Sequence, residues 1–295
     1  MTIASTAAPG GWRDYVALTK PRIISLLLVT ALCAMFLAAG GVPALHLIAL
    51  VLVGGALASG GANAINHYLD RDIDKLMRRT TNRPVASGRV SARNALAFGI
   101  ILNALAFGLL VWGANPIAAG LTLGATLFYV FVYTLGLKRR TPHNIVIGGA
   151  AGAFPPVIGW AAVTGSLELP ALFLFAIVFF WTPPHFWALS LLIKDDYARA
   201  RVPMLPLVVT LSETKRQIFV YTLLLVALTC MFFATGAVGW IYLASAIGLG
   251  LVFIAFAWRL MRAPDDRHAA STYKYSLLYL ALLFVAIAVD GAVGI

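Results

Sequence analysis

Charge is what this sequence has least of. Only 11% of its 295 residues are Asp, Glu, Lys or Arg, against 61% hydrophobic. An average soluble domain is about a quarter charged. So few charges cannot cover a water-facing surface, which excludes the soluble enzyme and binding classes. Cysteine is nearly missing too: Cys33 and Cys230 both sit in apolar runs, far from any C-x-x-C pattern. That excludes a disulfide scaffold, a thiolate metal site and a c-type haem attachment; both read as small buried apolar side chains. Met1 to Trp12 carry no charge and no long apolar core. They match neither a signal peptide nor an Arg-rich transit peptide, so a bacterial inner membrane is the expected setting. No soluble domain, long linker or low-complexity tract interrupts the chain, and residues 1–295 read as a single transmembrane domain.

What is present in abundance is apolar run. A bilayer core takes about 20 mostly apolar helical residues. Runs bounded by charge, Gly or Pro predict an all-α protein with nine spans. They fall at about 23–41, 45–66, 95–113, 116–137, 143–163, 168–193, 217–234, 238–257 and 275–293. Gly40-Gly41-Val42-Pro43 divides the first long run, and Thr235-Gly236-Ala237 closes spans seven and eight into a tight hairpin.

The bases then sort themselves. Three precede span one (Arg13, Lys20, Arg22), seven lie between spans two and three, three follow span four, five follow span six and four follow span eight, which accounts for all 22. The opposite loops hold none. The positive-inside rule therefore puts the N-terminus in the cytoplasm and the C-terminus in the periplasm. It also explains the net charge of +11 without nucleic acid.

Because topology accounts for the bases, the acids carry the information. The main cluster is Asn66-His67-Tyr68-Leu69-Asp70-Arg71-Asp72-Ile73-Asp74. Asn66, Asp70 and Asp74 recur at i, i+4, i+8, which stacks them on one helix face, while Asp72 points elsewhere. Two carboxylates one turn apart repel unless a cation lies between them. An oxygen-only set of this kind suits Mg²⁺ bound jointly with substrate phosphates. Lys75, Arg78, Arg79 and Arg83 follow directly, so metal and guanidinium forks together would hold a diphosphate. A solvated loop balanced by Arg71 and Lys75 is the plainer alternative. A second acidic pair, Asp195-Asp196, follows span six and emerges on the same face. Two such loops at one cavity would hold two Mg²⁺; a polar loop offset by Lys194 and Arg199 is the alternative. A diphosphate at the mouth of a membrane cavity implies an amphiphile with its tail among the helices, which polyprenyl diphosphates satisfy. Departure of the diphosphate leaves an allylic cation. Candidate aromatic faces to stabilise it include Tyr68, Phe128, Tyr129 and Tyr133, while most of the 34 aromatics are expected to serve packing or the membrane interface.

At Asn66-x-x-x-Asp70-x-x-x-Asp74 the sequence resembles the UbiA superfamily of intramembrane prenyltransferases, and within it the protohaem IX farnesyltransferase branch. The resemblance extends through Leu18-Thr19-Lys20-Pro21-Arg22, Asn66 to Pro84, Tyr133 to Thr141, Ile147 to Pro156, Trp181-Thr182-Pro183-Pro184-His185-Phe186-Trp187-Ala188-Leu189 and Tyr275 to Leu280. It implies nine helices around a central cavity, and transfer of the farnesyl group of farnesyl diphosphate to a vinyl group of haem b, a step in haem O and haem A synthesis for terminal oxidases. It also implies a catalytic and Mg²⁺-binding set of Asn66, Asp70, Asp74, Asp195 and Asp196. Diphosphate contacts would come from Arg22, Arg79, Arg83, Tyr133, Lys138, Arg139 and Arg199. The second acidic segment departs from the D-x-x-x-D of many relatives, because Arg199 stands four residues after Asp195; Arg199 is expected to supply charge there instead.

Haem b would be a substrate rather than a cofactor. His185 is the only histidine placed well inside a span, just after Pro183-Pro184, which are expected to break helix hydrogen bonding. A haem-binding role and a hydrogen bond to a freed carbonyl are both open for it. Implied partners are the lipid bilayer and a haem A synthase or oxidase assembly proteins. Two rival readings remain open: a UbiA-type prenyltransferase acting on a quinone precursor, and a membrane transporter using one-sided acids.

Overall fold

The computed structural model describes residues 10–293. The reading of the N-terminus as neither signal nor transit peptide rests largely on residues 1–9 and lies outside the described residues. Among those described, nine helices are long and apolar enough to cross a membrane. A short helix, α1 (Trp12–Thr19), precedes them. The spans are α2 (Pro21–Ala39), α3 (Leu45–Leu69), α5 (Ala92–Gly113), α6 (Pro116–Leu137), α7 (Asn144–Thr164), α8 (Leu169–Leu192), α11 (Leu211–Thr235), α12 (Trp240–Arg262) and α13 (Ala269–Val293). Short helices α4 (Arg71–Asp74), α9 (Lys194–Arg199) and α10 (Leu205–Val208) lie in the two acidic loops.

The ends follow local chemistry. Pro21 and Pro116 open α2 and α6 where a missing N–H costs nothing. Ser91, Asn115 and Thr210 accept backbone N–H groups as N-caps of α5, α6 and α11. Gly40 ends α2 in the left-handed region at φ 59°. Several spans outrun their apolar runs: α3 continues to Leu69, α12 to Arg262, and α11 begins at Leu211. A hydropathy reading stops at the first charge, whereas the backbone ladder continues until a cap or turn ends it.

Packing relies on small residues where backbones nearly touch. A Cβ on Gly159 of α7 would lie 2.2 Å from the Ala31 carbonyl oxygen of α2. Gly61 of α3 and Gly99 of α5 approach each other's carbonyls in the same way, at 2.6 and 2.7 Å from the added Cβ. Without a hydrophobic driving force between helices in lipid, such close approach is what holds them. Phe232, Tyr242, Phe253, Tyr279 and Phe284 form a dry aromatic core among α11, α12 and α13.

Two features depart from expectation. The run of Asn66, Asp70 and Asp74 is not one continuous helix: α3 stops at Leu69, Asp70 takes φ −93° and ψ 6°, and α4 restarts at Arg71. Pro183-Pro184 also fail to interrupt α8, which runs unbroken from Leu169 to Leu192. The absent N–H groups are tolerated inside a span packed against α7, α11 and α13.

Candidate active site

Six of the spans, α2, α3, α6, α7, α8 and α13, wall a cavity of about 580 Å³. Its floor and sides are apolar. Its polar lining includes Lys20 and Arg22 at the α1–α2 junction, Tyr129 and Tyr133 on α6, and His185 on α8. The second half of α6, Phe128–Leu137, is wound as a π-helix, with Lys138 N–H bonding the Tyr133 carbonyl five residues back. Such widened turns recur at functional sites. Here the winding stacks Tyr129 on Tyr133, centroids 5.5 Å apart. Of the aromatic candidates only these two line the cavity; the Tyr68 ring lies beneath the Arg71 guanidinium.

The acidic motif lies directly behind this rim. Asn66, Asp70 and Asp74 are all buried, with Asp70 at 0% exposure. Each is met by a cation. Lys20 Nζ donates to Asn66 Oδ1 at 3.2 Å, Lys138 pairs with Asp70, and Arg83 Nη1 contacts both oxygens of Asp74 at 2.9 Å. Asn66 Nδ2 donates to Asp70 Oδ2 at 2.7 Å. Burial, then the neighbouring Arg83 and Lys138 charges, push Lys20 down to about 7. Asp72 points outward as its spacing predicts. It takes a two-pronged bond from Arg139 at 2.6 and 2.7 Å, which holds its carboxyl below the usual range and Arg139 above.

The donor chemistry of this group fits Mg²⁺. It offers an amide oxygen and two carboxylates, and Asp70 Oδ1 is buried without a hydrogen bond, Arg139 Nη2 standing 3.5 Å away. Among the described residues no three His, Cys, Asp or Glu side chains converge into a metal cage of their own. A two-carboxylate site completed by substrate phosphates is the pattern Mg²⁺ favours.

The second acidic segment reaches the first, but differently from expectation. Asp195 is exposed and joins no partner among the described residues. Asp196 is buried and tethers the 75–90 loop: it accepts from the backbone N–H groups of Arg78 and Arg79, at 3.1 and 3.4 Å, and pairs with Arg199. Burial alone would raise its pKa; those donors and the guanidinium overcome it and hold the carboxyl below the usual range. Arg79 lies over the Tyr197 ring and bonds its hydroxyl at 3.1 Å. The structure thus gathers Asn66, Asp70, Asp74, Arg83 and Lys138, with Arg139 3.5 Å from Asp70, puts Arg22 and Tyr133 in the cavity lining, and among the described residues gives Asp195, Asp196, Arg79 and Arg199 no hydrogen bond or ion pair with that acidic group. In this structure one acid of the second pair faces solvent and the other is bonded to the 75–90 loop.

Lys20 escaped the sequence reading as a site residue. It is held in the left-handed region at φ 56°, and the available signal was Pro21, which disfavours right-handed helix in the residue before it. His67 is buried beside Asn66 with neither ring nitrogen hydrogen-bonded. The one acid at the opposite membrane face that is buried, Asp290, accepts from the Gly239 and Tyr242 N–H groups and so caps α12.

A model of the UbiA prenyltransferase family matches residues 27–285. The chain is 54% identical to protoheme IX farnesyltransferase 1 of Saccharopolyspora erythraea, over 99% of this chain and 96% of that one. It is 55% identical to the protoheme IX farnesyltransferase of Thermus thermophilus over 96% of its own length but spans 46% of that relative. The Roseiflexus relatives are likewise about twice as long. Among solved structures, a digeranylgeranylglyceryl phosphate synthase aligns at TM-score 0.79 and 18% identity, covering 95% of this chain and 98% of that one. A UbiA homolog from Archaeoglobus fulgidus bound to GPP and Mg²⁺ aligns at TM-score 0.63 and 18% identity, covering 93% and 99%.

Proposed function

Because the chain belongs to the UbiA prenyltransferase family, we propose that it transfers the farnesyl group of farnesyl diphosphate to a vinyl group of haem b, giving haem O and diphosphate. The carrying observation is the buried Asn66–Asp70–Asp74 group beside the basic rim of an apolar cavity. That arrangement suits a charged head and a long apolar tail. The vinyl acceptor is supported by the names of relatives about half identical over nearly the whole chain.

Asn66, Asp70 and Asp74 would hold Mg²⁺, which when bound draws negative charge off the departing diphosphate. Lys20, Arg83 and Lys138, now on those three ligands, would turn to diphosphate oxygens, with Arg22 at the mouth and Tyr133 beside it. Arg79, Arg139 and Arg199 are likewise held by protein partners and would add positive charge around the same group. The stacked Tyr129 and Tyr133 faces would stabilise the farnesyl cation. The vinyl carbon adds to its C1, and water quenches the resulting cation beside the porphyrin as a hydroxyl, releasing one proton. No protein nucleophile is needed. His185 is proposed to contact the haem. We place the basic face and the site opening in the cytoplasm of a bacterial inner membrane, with the C-terminus periplasmic, because every Lys and Arg falls in the loops or helix ends of one side.

Purified protein supplied with farnesyl diphosphate, Mg²⁺ and either haem b or 4-hydroxybenzoate tests the reading. Prenylated haem is expected, and its formation should stop on chelation and resume with added Mg²⁺. Product from the benzoate alone would assign a quinone-precursor substrate instead. Solute flux without diphosphate release would assign a transporter.

A further inference from the structure

Among the described residues His185 is the only histidine lining the cavity, and its ring is held on several sides. Trp181, one turn earlier on α8, stacks on it with centroids 4.2 Å apart and 17° between planes. The Tyr273 ring of α13 lies 4.9 Å away. Both α8 side chains also grip one residue of α13: Trp181 Nε1 donates to the Ser276 carbonyl at 2.8 Å, and His185 Nδ1 lies 2.7 Å from Ser276 Oγ.

The direction of that last bond follows from proton count. Ser276 Oγ also lies 2.6 Å from the Tyr273 carbonyl, which can only accept. A hydroxyl has one proton. Given to the carbonyl, it leaves the serine oxygen as acceptor towards His185, so Nδ1 carries the imidazole hydrogen and Nε2 keeps its lone pair. Nε2 has no hydrogen-bond partner among the described residues. A neutral imidazole with its far nitrogen fixed by a hydrogen bond and its near nitrogen free is the arrangement of metal-ligating histidines.

We infer that Ser276 is a positioning residue that holds His185 in the Nδ1–H tautomer and presents Nε2 to the iron of the acceptor haem. The inference rests on the haem-acceptor reading above. Such a contact would fix the porphyrin by its centre and leave a peripheral vinyl group free to meet the farnesyl C1.

The test uses the full chain in detergent, titrated with ferric haem b and followed by its Soret band, beside farnesyl diphosphate binding and thermal unfolding. H185A should lose the imidazole-ligated spectrum. S276A should weaken haem binding about 10- to 100-fold, the usual cost of removing a partner behind a metal ligand, with farnesyl diphosphate affinity and melting unchanged. S276T, which keeps the hydroxyl, should return the wild-type spectrum. A wild-type spectrum and affinity in S276A would overturn the positioning role. An unchanged spectrum in H185A, in a protein that still makes haem O, would overturn the ligation and leave the acceptor reading standing. A wild-type protein that prenylates no haem would overturn both.

Discussion

Asp70 and Asp72 stand two residues apart in one acidic run, and neutralising them should have opposite consequences. Asp72 is 62% exposed at its side chain, and its ion-pair partner among the described residues is Arg139, itself 37% exposed. A solvent-exposed pair of this kind contributes about 0–1 kcal/mol to stability, so Asp72→Asn should stay folded and turn over close to wild type. Asp70 has no exposed surface and holds Lys138 and the Asn66 amide. Asp70→Asn preserves shape and one acceptor for Lys138 while removing the charge that faces the ammonium and that would face the proposed metal. Deleting a single preorganised electrostatic group of this kind costs about 10²–10³ in rate, or roughly 3–4 kcal/mol. The loss of a charge-assisted hydrogen bond adds a stability cost of about 1.5–3 kcal/mol. The assay is the rate of haem O formation at saturating farnesyl diphosphate, beside a melting curve in the same detergent to show that the variant is folded. Near-normal activity in Asp70→Asn would refute the reasoning, and so would equal losses in the two variants.

The second acidic pair should divide in the same manner. Asp196→Asn, which loosens the tether on Arg78 and Arg79, should cost about 1–3 kcal/mol and speed proteolysis within residues 75–90, whereas Asp195→Asn should do neither. The Asp196 carboxyl is held below its usual range, so its stabilisation is complete above the unfolded value near ~3.9 and is lost as pH falls through the lower folded value. The loop's protease resistance should therefore be flat down to about pH 4. Gly159→Ala forces α2 and α7 apart and should lower stability by about 1–3 kcal/mol; Gly120→Ala, with open space at its Cβ, should melt like wild type.

How much of this was legible beforehand depended on whether a feature is written along the chain or between chains of contacts. The nine spans, the break at Gly40 and the outward turn of Asp72 follow from hydropathy, backbone preference and helical periodicity, all local properties. The tight approach of Gly159 to Ala31 and the tether of Asp196 onto Arg78 and Arg79 do not, because each joins residues more than a hundred positions apart. The motif spacing placed Asn66, Asp70 and Asp74 together correctly, yet on a helix that in fact stops at Leu69. The hydrogen bond from Asp74 N–H to the Asp70 carbonyl at 2.8 Å keeps the i+4 relation across the break, which is why the spacing argument survived a wrong premise. The π-helical turn of α6 had no sequence signal, since its residues are ordinary apolar and aromatic helix formers.

The pairing of each motif residue with a cation bears on how such a site survives in a membrane. Two ionised carboxylates with almost no exposure would be prohibitively costly alone. Lys138 and Arg83 neutralise them, one to one, before any substrate arrives. Lys20 is then buried beside two further cations; burial first, and the Arg83 and Lys138 charges after it, account for its fall to about 7. The fold therefore does not need the metal to bury its acids, and chelation should abolish turnover while shifting the melting temperature little. A large loss of stability on chelation would mean instead that the cations do not hold these acids in the absence of metal. The same three side chains, released from Asn66, Asp70 and Asp74, would be free to meet a diphosphate alongside Arg22, so groups that stabilise the buried acids are also groups that would receive the leaving group.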